Sequence, residues 1–131
     1  MYKIFFDNIQ KLNVPVNIKN LIIEFVNNIG IDRIDGVALQ GGYAREIFNE
    51  DSDIDLVFYF ENKEKGQYVK KGYSNYEGKI FEIKHLYGDK IDSKKWKDKQ
   101  KYVYINETVI LYDRNMELIK IIDNARMNKK E

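Results

Sequence analysis

The chain contains no cysteine, one proline, one histidine and one tryptophan among 131 residues. Without cysteine there are no disulfides and no thiolate-bound zinc, an absence that fits a cytoplasmic protein. No stretch approaches the roughly 18 to 20 apolar residues of a membrane-spanning helix. The opening Met1-Tyr2-Lys3-Ile4-Phe5-Phe6-Asp7 lacks the apolar core and cleavage site of a signal peptide. A net charge of +1 provides no global electrostatic case for a nucleic-acid or membrane partner. No internal repeat is evident. What remains is a composition that is 44% hydrophobic and 33% charged, a soluble globular profile. The length suits one domain over 1–131, long enough to bury a sizeable core.

Hydrophobic periodicity predicts the elements. Ile4, Phe5, Ile9 and Leu12 suggest a short helix over 2–12, ended by Asn13-Val14-Pro15. Ile18, Leu21, Ile22, Phe25, Val26 and Ile29 lie at helical spacing over 16–29, with Gly30 as the stop. Residues 34–40 read as a strand with Val37 and Leu39 inward, and 43–49 as a short helix after the Gly41-Gly42 turn. Ile54 to Phe60 is nearly continuous β-branched, aliphatic and aromatic sequence, as in a strand buried on both faces. Residues 61–66 read as a polar loop, and 68–76 as either a strand or a lid-like insertion. Glu77-Gly78 marks a hairpin turn before an alternating strand from Lys79 to Leu86. A helix capped by Asp92 or Ser93 is expected to run to about Tyr102. A strand over 107–112 and a final helix from Asp113 or Asn115 follow, before a charged, frayed tail over 126–131. The order predicts an α/β (α+β) protein: a mixed sheet flanked by helices, with N-terminal helices over 1–30.

Two motifs carry chemistry. Leu39-Gln40-Gly41-Gly42-Tyr43-Ala44-Arg45 places a glycine turn between a strand and a helical stretch. About ten residues later comes Asp51-Ser52-Asp53-Ile54-Asp55-Leu56. Alternate strand residues share a face, so Asp53 and Asp55 project together. Two carboxylates there repel each other and resist desolvation. A divalent cation relieves both problems, and Mg²⁺ favours one or two carboxylates together with substrate phosphates. The glycine turn offers backbone N–H groups to those phosphates. Glu82 is a third acid, set inside an apolar strand between Phe81 and Ile83. If its strand lies beside Ile54–Phe60, three carboxylates could hold two metal ions about 3.5 to 4 Å apart.

Each signal has an ordinary reading. Gly-Gly turns often only connect a strand to a helix. Acids at strand ends cap and turn, and edge strands expose acids such as Glu82. Arg45 has Glu46 and Glu50 as local ion-pair partners. His85, three residues past Glu82, faces the other side of a regular strand and reads as structural or solvent-facing. Trp96 reads as a helix core residue, and the lysines of 94–101 as a solvated face.

Together, Gly41-Gly42, the spacer, Asp53-Ile54-Asp55 and Glu82 resemble the nucleotidyltransferase superfamily that includes DNA polymerase β. Tyr43-Ala44-Arg45 and Ser52-Asp53-Ile54-Asp55-Leu56 look like its bacterial small-molecule and minimal branches. Val109-Ile110-Leu111-Tyr112-Asp113-Arg114 resembles the closing strand of that domain. The resemblance covers roughly 35–122 and implies a catalytic core over 34–122. It implies metal-dependent transfer of a nucleoside monophosphate from an NTP, ATP by expectation, to a hydroxyl. Asp53, Asp55 and Glu82 become the implied catalytic and metal-binding residues, with Mg²⁺, two ions, as cofactor. Gly41, Gly42, Tyr43, Arg45 and Ser52 become the implied nucleotide contacts, with Ser52 orienting Asp53. Two positions depart from the family loop, which commonly reads Gly-Ser-x-Ala-Arg-Gly: Gly42 replaces serine, and Glu46 replaces glycine.

The resemblance suggests a small-molecule acceptor, as in the antibiotic nucleotidyltransferases. Those enzymes usually build the acceptor pocket from a helical C-terminal domain. Here the sequence ends soon after the core, so the acceptor site is expected across a homodimer or on a partner protein. The rival is a minimal nucleotidyltransferase antitoxin that modifies a helical partner. A third reading is a non-catalytic nucleotide-binding module, favoured by the Gly42 and Glu46 departures. A nucleic-acid acceptor is disfavoured by size and charge.

Overall fold

The computed structural model describes residues 2–127. Two helices, α1 (Tyr2–Gln10) and α2 (Val16–Ile29), precede the sheet. Strand β1 (Gly36–Gln40) leads into α3 (Gly41–Arg45), and β2 (Ile54–Phe60) into the single turn α4 (Lys63–Gly66). A hairpin follows, β3 (Gly72–Tyr76) and β4 (Lys79–Tyr87). Then come α5 (Asp98–Asn106), β5 (Val109–Asp113) and α6 (Glu117–Met127). The five strands lie in the order β3-β4-β2-β1-β5. Only β2 and β4 run parallel; the other neighbouring pairs are antiparallel.

Strand alternation divides the side chains between two faces. On one face Val37, Leu39, Ile54, Leu56, Phe58, Phe60 and Phe81 pack under Phe5, Ile9, Ile18, Ile22 and Val26 of α1 and α2. Phe25 stacks on Phe81 with ring centroids 4.2 Å apart. On the other face Ala38, Val57, Tyr59 and Leu86 meet Tyr104, Leu118 and Ile122 of α5 and α6. Helices thus flank both faces of a mixed sheet. The second layer is the smaller: its α5 end covers Gln40, which is 3% exposed, but Asp55 and Glu82 beside it stay partly exposed.

Several boundaries differ from expectation, each for a local reason. The short helix begins at Gly41, not at 43, and ends at Arg45, because Glu46 takes a left-handed conformation (φ 61°). There the Ile47 N–H donates back to the Gly42 carbonyl at 2.9 Å. The expected 61–66 loop contains α4, capped by the Asn62 side chain, which accepts from the Lys65 N–H. Of the ambiguous 68–76 stretch, only Gly72–Tyr76 is strand. Glu77 and Gly78 both have positive φ, as a tight two-residue hairpin turn requires. The helix expected from 92 to 102 is broken in two. Asp92 caps only a 3₁₀ turn, Ser93–Lys95, and Trp96 and Lys97 are extended before α5. A continuous helix would hold Trp96 and Tyr104 about 12 Å apart along its axis. The bend instead stacks their rings at 4.6 Å. Asp113 caps α6 through the N–H groups of Leu118 and Ile119. Of the expected frayed tail, Arg126 and Met127 belong to α6, and 128–131 lie outside the described residues.

A buried ion pair secures the sheet end away from the acids. Asp35, 4% exposed, accepts from the Glu61 N–H and from Arg114. Arg114 also donates to the carbonyls of Ile31, Asp32 and Ile34, which ties the entry to β1 to the exit from β5. No described helix is long and apolar enough to cross a membrane.

Candidate active site

Register builds the site. Gln40 on β1 is opposite Asp55 on β2, Asp55 is opposite Glu82 on β4, and Glu82 is opposite Tyr73 on β3. The four residues form one row across four strands, on the face that carries α5 and α6. Ile54 and Leu56, the strand neighbours of Asp55, are fully buried on the opposite face. The hydrophobic pattern of β2 therefore forces Asp55 onto the thinly covered side.

The electrostatics of the row are strained. Asp55 is pushed up from 3.8 to about 6, first by burial and then by the Glu82 charge. Hydrogen bonding with Glu82 and the nearby charge of Asp53 act in the same direction, and Lys84 acts against them. A carboxylate beside another carboxylate holds its proton because ionising both at close range is costly. Asp53 lies just outside β2, exposed, two residues before Asp55.

The glycine turn touches this row directly. Gly41 has φ +72°, and a Cβ there would collide with the Asp55 Oδ2. Only glycine lets the backbone approach the carboxylate this closely. The residue before α3, Gln40, does not cap it: its side chain donates to Thr108 at 3.0 Å instead. The first N–H groups of α3 thus receive no side-chain cap. At Gly42 a Cβ would lie 2.6 Å from the Ile47 carbonyl oxygen. The serine usual in the resembled loop cannot fit this turn without a shift, a steric reason for the departure at 42. Glu46 sits in the left-handed conformation that glycine adopts freely, and its carboxylate accepts from Asn13 at 2.7 Å. It is held against the segment after α1.

The other expected contacts fall at varying distances from the row. Arg45 pairs with Glu107 at 3.8 Å, not with Glu46 or Glu50, and remains exposed. Tyr43 is 3% exposed, with its ring stacked on Phe48 at 4.7 Å. Its side chain belongs to the core, which leaves only its backbone free for a ligand. Ser52 accepts from the Asn49 N–H at 2.9 Å and shapes the loop before Asp53. His85 lies on the α1/α2 face, 4.9 Å from the Phe60 ring, with Nδ1 3.0 Å from the Tyr87 hydroxyl. A cleft between the start of α2, Phe48 and the β3–β4 turn, lined by Tyr43 and Lys79, is on the opposite face from Asp55.

Three residues of the row's surroundings escape the sequence reading. Gln40 and Tyr73 join it only through strand register. Lys84 was within reach of pattern reasoning, since it lies two residues beyond Glu82 on an alternating strand. Among the described residues no three His, Cys, Asp or Glu side chains are gathered closely enough to hold a metal ion. The donors nonetheless fit a hard cation: Asp55 and Glu82 are register partners whose mutual repulsion a cation would relieve.

A mixed sheet with paired acids on its open face, approached by a Gly-Gly turn, is the arrangement of a nucleotidyltransferase core. The family model described as nucleotidyltransferase domain matches residues 19–125, and the chain belongs to that family. The match runs from α2 into α6 and takes in every strand of the sheet. No curated protein matches the chain.

Proposed function

We propose that the protein transfers a nucleoside monophosphate from an NTP, ATP being the expected donor, to a hydroxyl of a small molecule, with Mg²⁺ as cofactor. The observation that supports this reading is the contact between Gly41 and Asp55 within the row that pairs Asp55 with Glu82. It sets uncapped backbone amides beside paired carboxylates, the two components that a metal-bound triphosphate requires. Asp53, Asp55 and Glu82 are the residues that would hold the cation. When bound, Mg²⁺ supplies charge neutralisation at the phosphates and a lowered pKa at the acceptor hydroxyl.

The chain's own groups do the rest. Gly41 and Gly42 admit the phosphates to close backbone contact. Arg45, exposed and only loosely paired with Glu107, turns its forked donors toward phosphate oxygens. Lys84, on the same face, offsets further negative charge. Glu82 receives the proton of the acceptor hydroxyl. The Asn13 contact keeps the Glu46 carboxylate from opposing the triphosphate.

A partner protein as acceptor is the second reading. It is favoured by the apolar residues Tyr2, Ile4 and Phe6 exposed on α1. Titration calorimetry with ATP, GTP, CTP and UTP, with and without Mg²⁺, tests the site itself. Wild type is expected to bind at least one NTP only with Mg²⁺, and Asp53→Ala/Asp55→Ala to bind none. Failure of folded wild type to bind any NTP would overturn the proposal.

A further inference from the structure

Tyr73 belongs to the row yet has no part in the reaction above. It is on the edge strand β3, directly opposite Glu82, and is 66% exposed. Cross-strand partners on one face have Cβ atoms about 4.5 to 5.5 Å apart, and the charges of Glu82, Asp53 and Asp55 all act on the Tyr73 hydroxyl. We infer that Tyr73 is itself an acceptor: the protein transfers a nucleoside monophosphate to its own Tyr73 phenol. This rests on the proposed transferase reading.

Two physical arguments favour it. An acceptor hydroxyl must be delivered within hydrogen-bond reach of Glu82, and Tyr73 delivers one from the same chain. Tethering replaces a bimolecular encounter with an intramolecular one, and this raises effective concentration by orders of magnitude. The ring also has room to move, because it stands 66% exposed on the edge strand. The placement is selective among tyrosines. Tyr76, on the other face of β3, is packed edge-on to Phe25 and Phe81. Tyr68 is 81% exposed but precedes the strand and lies outside the row.

The step balances without any further reactant. The phenolic oxygen forms a bond to the α-phosphorus. The bond from that phosphorus to the α–β bridging oxygen breaks, and pyrophosphate leaves with the electron pair. The phenolic proton passes to the Glu82 carboxylate. The product is a phosphodiester on β3, one new negative charge beside three carboxylates, and it closes the row to a second acceptor.

The test is intact-mass spectrometry and peptide mapping of the purified chain after incubation with Mg²⁺ and each NTP, with nucleotide binding measured in parallel. Wild type and Tyr68→Phe are expected to gain one nucleoside monophosphate, mapped to Tyr73, at a rate independent of protein concentration. Tyr73→Phe is expected to gain none. Wild type that binds Mg²⁺–NTP yet stays unmodified, or is modified elsewhere, overturns the inference and leaves the transferase reading standing. Wild type that binds no nucleotide overturns both. The wild-type map decides the matter even if Tyr73→Phe folds poorly.

Discussion

Ile54 and Asp55 are consecutive residues of β2, yet they sit in opposite environments. Ile54 is sealed beneath the α1/α2 layer with Leu56, Phe58 and Phe60, all fully buried. Asp55 points to the other face, where the α5/α6 layer covers Val57 and Tyr59 but leaves the start of the strand open. The first face stabilises the fold through apolar burial, worth about 1.5 to 3 kcal/mol for each large side chain. The second holds a carboxylate that burial and Glu82 keep from ionising easily. A sequence selected only for stability would not place an acid there, and such local conflict is expected at functional sites.

Mutations on the two faces should therefore have opposite signatures. The largest stability effect is expected at Phe58, 0% exposed in the α1/α2 core. Phe58→Ala should cost about 3 to 5 kcal/mol by denaturant unfolding. Where the protein stays folded, Mg²⁺–nucleotide affinity should change little. Gly41→Ala comes next. It combines a left-handed backbone with a collision at Asp55, and should cost about 2 kcal/mol and also weaken nucleotide binding.

Asp55→Asn should act in the reverse sense on stability. Folded Asp55 deprotonates near pH 6 and the unfolded residue near 3.8. Between those values the folded chain binds more protons, so wild-type stability falls as pH rises through that window. Removing the charge should stabilise the protein at pH 7 by about 1 kcal/mol, after allowance for solvent screening. Near pH 4 the difference should vanish, as thermal melts across the pH range would show. The smallest effect is expected at Glu46. Glu46→Gly relieves a left-handed glutamate but loses the Asn13 bond, for a net gain of about 0.5 kcal/mol.

Much of the fold is legible in the sequence itself. The helix read over 16–29 and the nearly continuous apolar run from Ile54 to Phe60 match α2 and β2 residue for residue. Both owe their form to strong, local hydrophobic patterns. The misses arise where tertiary contacts override local preference. Trp96 bends the chain to stack on Tyr104, and α4 is a single capped turn whose one sequence signal is Asn62. At the candidate site the motif itself exposes Gly41, Asp53 and Asp55, because those residue types and that spacing are unusual in a buried strand. That Asp55 faces Glu82 depends on β4 lying parallel beside β2, and Tyr73 enters only through the β3–β4 register. No periodicity within one segment reports how two segments align.

The most direct test of the division between the two faces is a paired measurement on Asp55→Asn: its melting temperature at pH 7, and its affinity for Mg²⁺–ATP and the other three triphosphates by calorimetry. The account predicts a variant that melts no lower than wild type and has lost Mg²⁺-dependent nucleotide binding. A variant that binds like wild type would contradict it, because Asp55 would then be a strained residue with no part in the site.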